Sequence, residues 1–126
     1  MAIAGIGVDI VEIKRIAHMR EKYGDRFLSK IFTAAEIAIC LDSERPDERF
    51  AGRFAAKEAV MKALKLGIYL GVHFKDIEII GGGSVKPEVK LHSNADKAAI
   101  NAGVTGISVS LSHERKFAVA MAIAEK

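Results

Sequence analysis

One segment constrains the fold of this chain more than any other: residues 49–65, where apolar side chains recur at helical spacing. The recurring residues are Phe50, Phe54, Met61 and Leu64. This pattern predicts a helix with one face against a core. Gly67 follows at a point where such a helix would end. We expect this long helix to be the central element, with the rest of the chain packed around it.

Strands are predicted on both sides of this helix, because apolar residues alternate with small or polar ones there. Ile6, Val8 and Ile10 form the apolar face of a first strand, and the opposite face is nearly bare until Asp9. We expect the apolar face to be the buried one. Three further stretches alternate in the same way: residues 77–91, which read as a hairpin around a glycine-rich turn, 107–111 and 117–124.

The last strand and the shorter helices complete the predicted fold. In residues 117–124 alanines alternate with larger apolar residues, so we expect a helix on one face and consider a second subunit for the other. Helices are predicted at residues 12–23, with a basic outer face, at 33–41, with a capping box, and at 93–102. These elements predict an α+β fold in which a small antiparallel sheet packs against the long central helix.

Length and composition limit the class of protein. A chain of 126 residues has the usual size of one domain, which we expect to span residues 1–126. Cys40 is the only cysteine, so no disulfide forms within the chain, and we expect a buried thiol. No apolar stretch approaches the ~20 residues that cross a bilayer, and the apolar start lacks the basic region and length of a signal peptide. We therefore expect a cytoplasmic protein, neither secreted nor membrane-embedded.

The net charge of the chain is +3 and its isoelectric point is near 9.1. An excess of positive charge indicates an anionic partner and does not bear on the fold. Nucleic acid, a nucleotide or an acidic protein would each satisfy it.

Asp9 is the first candidate for chemistry, because Gly5 and Gly7 precede it and allow a backbone or a ligand to approach closely. A carboxylate at the end of such a strand suits a site for metal and phosphate. The glycines do not form a dinucleotide fingerprint, since Ile10 stands where the third glycine is required. The alternative is an aspartate that caps the following helix.

Glu58 is the second candidate, one helical turn before Lys62. The alternative is a common surface pair, which contributes only ~0.2–0.5 kcal/mol. The surrounding charge favours a function, because Glu58 stands among many cations that together require an anion. These cations are Arg45, Arg49, Arg53, Lys57, Lys62 and Lys65.

His113 is the third candidate, at the end of the strand that contains Ser110 and Ser112. A histidine there can donate to a phosphate, titrate near neutral pH or simply occupy a turn. No serine or cysteine lies in a nucleophile motif, and no Cys/His group has the spacing of a zinc site.

Four motifs run through the chain in order: an N-terminal Gly-Ile-Gly-Val-Asp-Ile-Val-Glu, then Phe-Thr-Ala-Ala-Glu, Arg-Phe-Ala-Ala-Lys-Glu-Ala and Ser-Leu-Ser-His. Together they resemble the holo-acyl-carrier-protein synthases, the short class of 4′-phosphopantetheinyl transferases, over the whole chain. The resemblance implies transfer of phosphopantetheine from coenzyme A to a serine of apo acyl carrier protein, which leaves adenosine 3′,5′-bisphosphate and supports fatty acid biosynthesis. It also implies the fold of that family and a homotrimer.

The resemblance assigns roles to the candidate residues. Asp9 and Glu58 would hold magnesium, or manganese, because hard divalent ions prefer oxygen ligands. Lys62 would bind the pyrophosphate and assist proton transfer, while either Glu58 or a water on the ion would take the proton from the serine. Further positions match those that bind coenzyme A: Arg53, Lys62, His113, Arg45 and Gly67.

The resemblance also implies active sites between subunits, and it has one local departure from the family pattern. Sites between subunits would join His113 of one chain to Glu58 of another. Lys65 and Leu66 stand where the family usually has Gly-Thr, so only Gly67 of that motif is kept.

A docking surface for the acidic carrier protein is also implied, on the basic helix of residues 12–23. Arg15 would be the leading contact, and Arg26 and Phe27 would add a charge and an apolar anchor. A solvated basic face is the alternative.

Two other classes of function compete with a transferase. A nucleic-acid-binding module would need aromatic residues interleaved with its basic ones, whereas the aromatic residues here lie mostly on apolar faces. A metal-dependent phosphohydrolase would need more carboxylate ligands than two. We therefore expect no nucleic acid and no membrane among the partners of this protein.

Overall fold

A computed structural model of the protein describes residues 2–65, 71–82 and 84–126. The helices are α1 (Ile13–Tyr23), α2 (Asp25–Ile31), α3 (Ala34–Leu41), α4 (Pro46–Leu64) and α5 (Ser93–Asn101). The strands are β1 (Ile3–Glu12), β2 (Ile77–Gly82), β3 (Val85–Leu91), β4 (Gly106–His113) and β5 (Phe117–Glu125). Within the described residues, one antiparallel sheet has the order β1-β5-β4, and β2 and β3 pair as a separate hairpin. The predicted α+β class is confirmed.

Helix α4 is the central element, as predicted. It begins at Pro46, earlier than expected, because proline suits the first helical position, where no backbone N–H is needed. Lys65 ends it in the left-handed conformation, with φ of 57°. The helix is buried on more than the predicted face, because a row of small residues also packs against the sheet. These are Ala51, Ala55, Ala59 and Ala63.

Strand β1 buries the face opposite to the one predicted. A Cβ added to Gly5 or Gly7 would lie 1.9 Å from a carbonyl oxygen of α4, so these glycines are where helix and strand backbones meet. Ile6, Val8 and Ile10 consequently remain 53% to 63% exposed. The prediction was wrong because alternation identifies two faces without saying which is buried, and a glycine face permits the closer packing.

Strand β5 confirms the prediction that a helix covers its alanine face. Its alanines are almost fully buried beneath α4: Ala118, Ala120, Ala122 and Ala124. On the other face Met121 lies opposite Val8 in the register of β1 and β5, and Ile123 lies opposite Ile6. We call this apolar surface, formed by Ile6, Val8, Ile10, Val119, Met121 and Ile123, the outer sheet face.

The remaining helices include one that was not predicted and one that has the predicted capping box. Helix α2 was not predicted, since it is short and its N-cap Gly24 supplies no side-chain hydrogen bond. Helix α3 has the predicted capping box, in which Thr33 and Glu36 exchange hydrogen bonds. The thiol of Cys40 is buried, as expected. None of the helices in the described ranges is long and apolar enough to cross a membrane.

Candidate active site

Asp9 and Lys62 meet where β1 crosses the C-terminal half of α4. The Nζ of Lys62 donates to Asp9 Oδ1 at 3.2 Å and to the carbonyl oxygen of Val8 at 3.0 Å. Because Gly5 and Gly7 allow the helix to lie directly on the strand, the side chain of Asp9 is held against α4. Two of the predicted site residues are therefore brought together.

Glu58 is half-buried one turn before Lys62 and belongs to the same group. Burial raises the pKa of Glu58, and the nearby Asp9 carboxylate raises it further, while Lys62 and Arg15 act in the opposite direction. We call Asp9, Glu58 and Lys62 the carboxylate cluster. A freely solvated surface pair would not experience this burial.

The carboxylate cluster fits a hard divalent ion. Asp9 and Glu58 are close enough for their charges to repel, and an added dication would relieve that repulsion. No set of three or more His, Cys, Asp or Glu side chains that could hold a metal is found in the part of the chain that the structure describes. Two carboxylates suit magnesium in particular, because this ion keeps several waters and is often shared with substrate phosphates.

A second polar region is an open cleft of about 830 Å³. Its walls come from the connection between α3 and α4, the N-terminal half of α4, the β2–β3 hairpin and the end of β4. Its basic side chains are Arg45, Arg49, Arg53 and His113. We call it the arginine cleft. Three of the residues predicted to bind coenzyme A lie here, whereas Gly67 lies outside the described residues.

The basic side chains of the arginine cleft differ in their surroundings. Arg53 is only 2% exposed; its Nη2 donates to the carbonyl oxygen of Gly81, and its Nε has no partner among the described residues. Arg45 is exposed and pairs with Glu48 at 3.3 Å. His113 Nδ1 lies 3.7 Å from the other oxygen of Glu48. A buried guanidinium with an unused hydrogen-bond donor is suited to bind an anion.

The residues that line the arginine cleft do not include Asp9, Glu58 or Lys62. Strand β1, which carries Asp9, and strand β4, which ends at His113, are opposite edges of the sheet, with β5 between them. Helix α4 crosses this sheet, so Arg53 lies on the β4 side and Glu58 on the β1 side.

The residues predicted to bind a carrier protein lie on α1 and α2. Arg15 lies near the carboxylate cluster, close enough to lower the pKa of Glu58. Arg26 lines a small depression of about 260 Å³, together with Phe27 and Tyr23. Phe27 is 9% exposed and packs edge-on against Phe32, so it forms the floor of the depression and does not project as an anchor.

Lys57 does not belong to the cations around Glu58, contrary to prediction. It is fully buried and forms an ion pair with Glu36 at 2.7 Å. Arg49, which was not assigned to the donor site from sequence, does line the arginine cleft. The spacing of Arg45, Arg49 and Arg53 at i, i+4 and i+8 was the signal that could have placed it there.

The sequence was compared with known proteins. A sequence profile of the 4′-phosphopantetheinyl transferase superfamily matches residues 5–122. A holo-(acyl-carrier-protein) synthase from Halothermothrix orenii is 44% identical over 124 residues, covering 98% of each chain.

Solved structures agree with this match. The chain is similar to a holo-(acyl-carrier-protein) synthase of Neisseria meningitidis, with a TM-score of 0.90, 37% identity, and coverage of 99% of this chain and 100% of that one. It is also similar to the Helicobacter pylori synthase in complex with coenzyme A, with a TM-score of 0.82, 32% identity, and coverage of 95% and 99%.

The fold, the carboxylate cluster and these similarities define a transferase: the chain belongs to the 4′-phosphopantetheinyl transferase superfamily. Within that superfamily it is a member of the holo-acyl-carrier-protein synthase family of enzymes.

Proposed function

We propose that this enzyme transfers 4′-phosphopantetheine from coenzyme A to a serine of apo acyl carrier protein and releases adenosine 3′,5′-bisphosphate. The carboxylate cluster carries the proposal, because Asp9, Glu58 and Lys62 converge in a chain that is similar to synthases over nearly its full length. The reaction forms a bond between the serine oxygen and the phosphorus attached to pantetheine. It breaks the bond from that phosphorus to the bridging oxygen of the pyrophosphate.

The arginine cleft is proposed to hold the nucleotide end of coenzyme A. The buried Arg53, whose Nε has no hydrogen-bond partner in the described ranges, supplies a charge in an environment that strengthens its attraction to phosphate. Arg45 and His113 are more exposed and would close on the outer phosphates. The similarity to a synthase solved with coenzyme A supports this assignment.

The carboxylate cluster is proposed to act on the pyrophosphate and on the serine. Asp9 and Glu58 would hold magnesium, with manganese as an alternative, and the bound ion would offset charge on the leaving phosphate. Lys62 would orient the pyrophosphate and stabilise the same charge. Glu58, whose pKa is raised by burial and by Asp9, is suited to accept the proton of the serine.

We propose a homotrimer with sites between subunits, and the placement of Asp9 and His113 on opposite edges of the sheet supports it. Contact between the β1 edge of one chain and the β4 edge of the next would place His113 beside Glu58 of a neighbour. A head-to-tail contact of this kind forms a ring when the rotation between neighbours closes, and we propose that it closes after three chains. The outer sheet face, including Val8 at 53% exposure and Met121 at 47%, supplies apolar surface that association would bury.

The acidic carrier protein is proposed to dock on α1 and α2. Arg15 lies beside the carboxylate cluster, so a carrier bound there would have its serine near the reacting phosphate. Arg26 and Phe27 would receive a neighbouring part of the carrier in the small depression. We further propose that the enzyme works in the cytoplasm, serves fatty acid biosynthesis and forms one domain over residues 1–126.

Release of adenosine 3′,5′-bisphosphate, followed by chromatography, tests the proposed reaction. The product should form only when coenzyme A, magnesium and apo acyl carrier protein are all present, and a carrier lacking the acceptor serine should give none. Release of the same product without any carrier would indicate a phosphohydrolase instead.

A further inference from the structure

We infer that Lys57 and Glu36 are positioning residues that hold the β2–β3 hairpin as one wall of the arginine cleft. This inference rests on the proposed binding of coenzyme A in that cleft. The proposed function uses neither residue, and both are fully enclosed, with 0% and 1% of their surfaces exposed.

The hairpin needs such a support. It forms its own two-stranded sheet and is not hydrogen-bonded to the β1-β5-β4 sheet in the described residues. A two-stranded hairpin is at best marginally stable alone. Yet it provides much of the cleft wall: Ile79, Gly81, Gly82, Ser84 and Pro87. The geometry of the cleft therefore depends on what fixes the hairpin to the helices.

Lys57 uses all of its hydrogens for this attachment. Its Nζ donates to Glu36 Oε1 at 2.7 Å, to the carbonyl oxygen of Phe74 at 3.1 Å and to that of Ile77 at 2.5 Å. An ammonium group has three donors, so none is left for a phosphate. Lys57 thus acts on the ligand only through the hairpin.

Glu36 extends the attachment to a third element. Its Oε2 accepts from the backbone N–H of Ile79 at 3.0 Å, and its Oε1 accepts from that of Thr33 at 2.9 Å. Ile77 and Ile79 are therefore held from the same side by one ion pair. The intervening Glu78 accepts from Thr33 Oγ1 at 2.8 Å, which ties the strand to the same end of α3, and lies 3.0 Å from His92 Nε2.

The attachment also sets the position of Arg53. Lys57 and Arg53 lie one turn apart on α4, and they donate to the carbonyl oxygens of Ile77 and Gly81 on the same strand. Moving the hairpin at Ile77 would move Gly81 and with it the partner of the buried guanidinium. The ion pair therefore controls the geometry of the phosphate-binding cation at a distance.

A purely structural role is the competing explanation, and a double variant separates the two. Lys57→Met alone would leave a buried unpaired carboxylate, which is strongly destabilising. Lys57→Met combined with Glu36→Gln removes both charges together, keeps similar volumes and retains an amide to cap α3. Lys97→Met, an exposed lysine on α5, is the control for the same chemical change elsewhere.

The double variant, once shown to be folded by circular dichroism, should raise the KM for coenzyme A about tenfold or more. The kcat should stay within about threefold, because the reacting groups lie in the carboxylate cluster. Lys97→Met should change neither. A folded double variant with the wild-type KM would overturn the inference. A wild-type enzyme that transfers nothing would instead overturn the proposed function.

A second measurement uses the wild-type protein, and it tests the inference if the double variant does not fold. Coupling between two sites is reciprocal, so a hairpin that shapes the cleft must itself be stabilised by a ligand in the cleft. Adenosine 3′,5′-bisphosphate should slow hydrogen exchange at the amide of Ile79 severalfold. Unchanged exchange at Ile79, with the nucleotide shown to be bound, would contradict the inference.

Discussion

The Nζ of Lys62 lies 3.2 Å from Oδ1 of Asp9, so a side chain of the central helix closes onto the strand that crosses it. This contact joins residues separated by more than fifty positions in sequence and fixes the carboxylate cluster at one edge of the sheet. Lys62 keeps 54% of its side chain exposed, which leaves its ammonium accessible to a ligand.

Lys62→Met should lower kcat for transfer by about 100-fold, because it removes a positive charge where charge develops on the leaving phosphate. The free energy of unfolding should fall by less than about 1 kcal/mol, since the ion pair with Asp9 is half exposed and screened by solvent. Steady-state kinetics and urea unfolding measure the two effects, with Lys97→Met as control. A loss of activity matched by a comparable loss of folded protein would count against a catalytic role.

Glu58→Gln should abolish transfer and leave the fold intact. The folded-state pKa of Glu58 is raised, so its contribution to stability is present below the unfolded pKa and is lost as pH rises through the folded pKa. At neutral pH the permanently neutral glutamine should therefore raise the melting temperature. Glu88→Gln, on the exposed surface of β3, should change neither property. Near-normal turnover of Glu58→Gln would return this residue to the class of surface pairs.

Gly7→Ala should destabilise the protein by about 3 kcal/mol, because an added Cβ would lie 1.9 Å from the carbonyl oxygen of Ala59 and force β1 away from α4. Gly106→Ala is the matched control, since the corresponding Cβ would have no heavy atom of the described residues within 4 Å beyond its own chain neighbours. Chemical denaturation should show the large difference between the two variants. Equal stabilities would mean that β1 and α4 are not packed through their backbones.

Arg15→Glu should weaken binding of apo acyl carrier protein, and the loss should be larger at roughly 0.05 M salt than at roughly 0.5 M, because salt screens exposed charges. Calorimetry of binding is preferred to turnover here, since Arg15 also influences Glu58. Lys97→Glu makes the same reversal on another helix and should have little effect. A loss that is independent of salt would argue against direct electrostatic docking.

Much of the fold was predictable because its elements carry strong local signals. Three of these signals agree with the structure: the apolar spacing of α4, the capping box of Thr33 and Glu36, and the alternating alanines of β5. Each depends only on residues that are close together in sequence. The buried face of β1 was not predictable in this way. Its burial depends on how closely the α4 backbone approaches Gly5 and Gly7, which is a tertiary property.

The site was predictable as a set of residues and less so as a geometry. Arg53 and Lys57 have the same helical spacing as Glu58 and Lys62, yet Lys57 is buried in an ion pair and Lys62 reaches Asp9 at the surface. The spacing of residues along a helix does not show which side chains of the neighbouring strands or helices they will contact. The separation of the arginine cleft from the carboxylate cluster likewise depends on strand order.

Intact mass spectrometry of the carrier protein tests the proposed transfer most directly. Apo acyl carrier protein incubated with coenzyme A, magnesium and this enzyme should gain the mass of one phosphopantetheine, and Glu58→Gln should produce no gain. An unchanged carrier mass with folded wild-type enzyme, accompanied by tight binding of RNA, would contradict the transferase assignment and favour a nucleic-acid-binding protein.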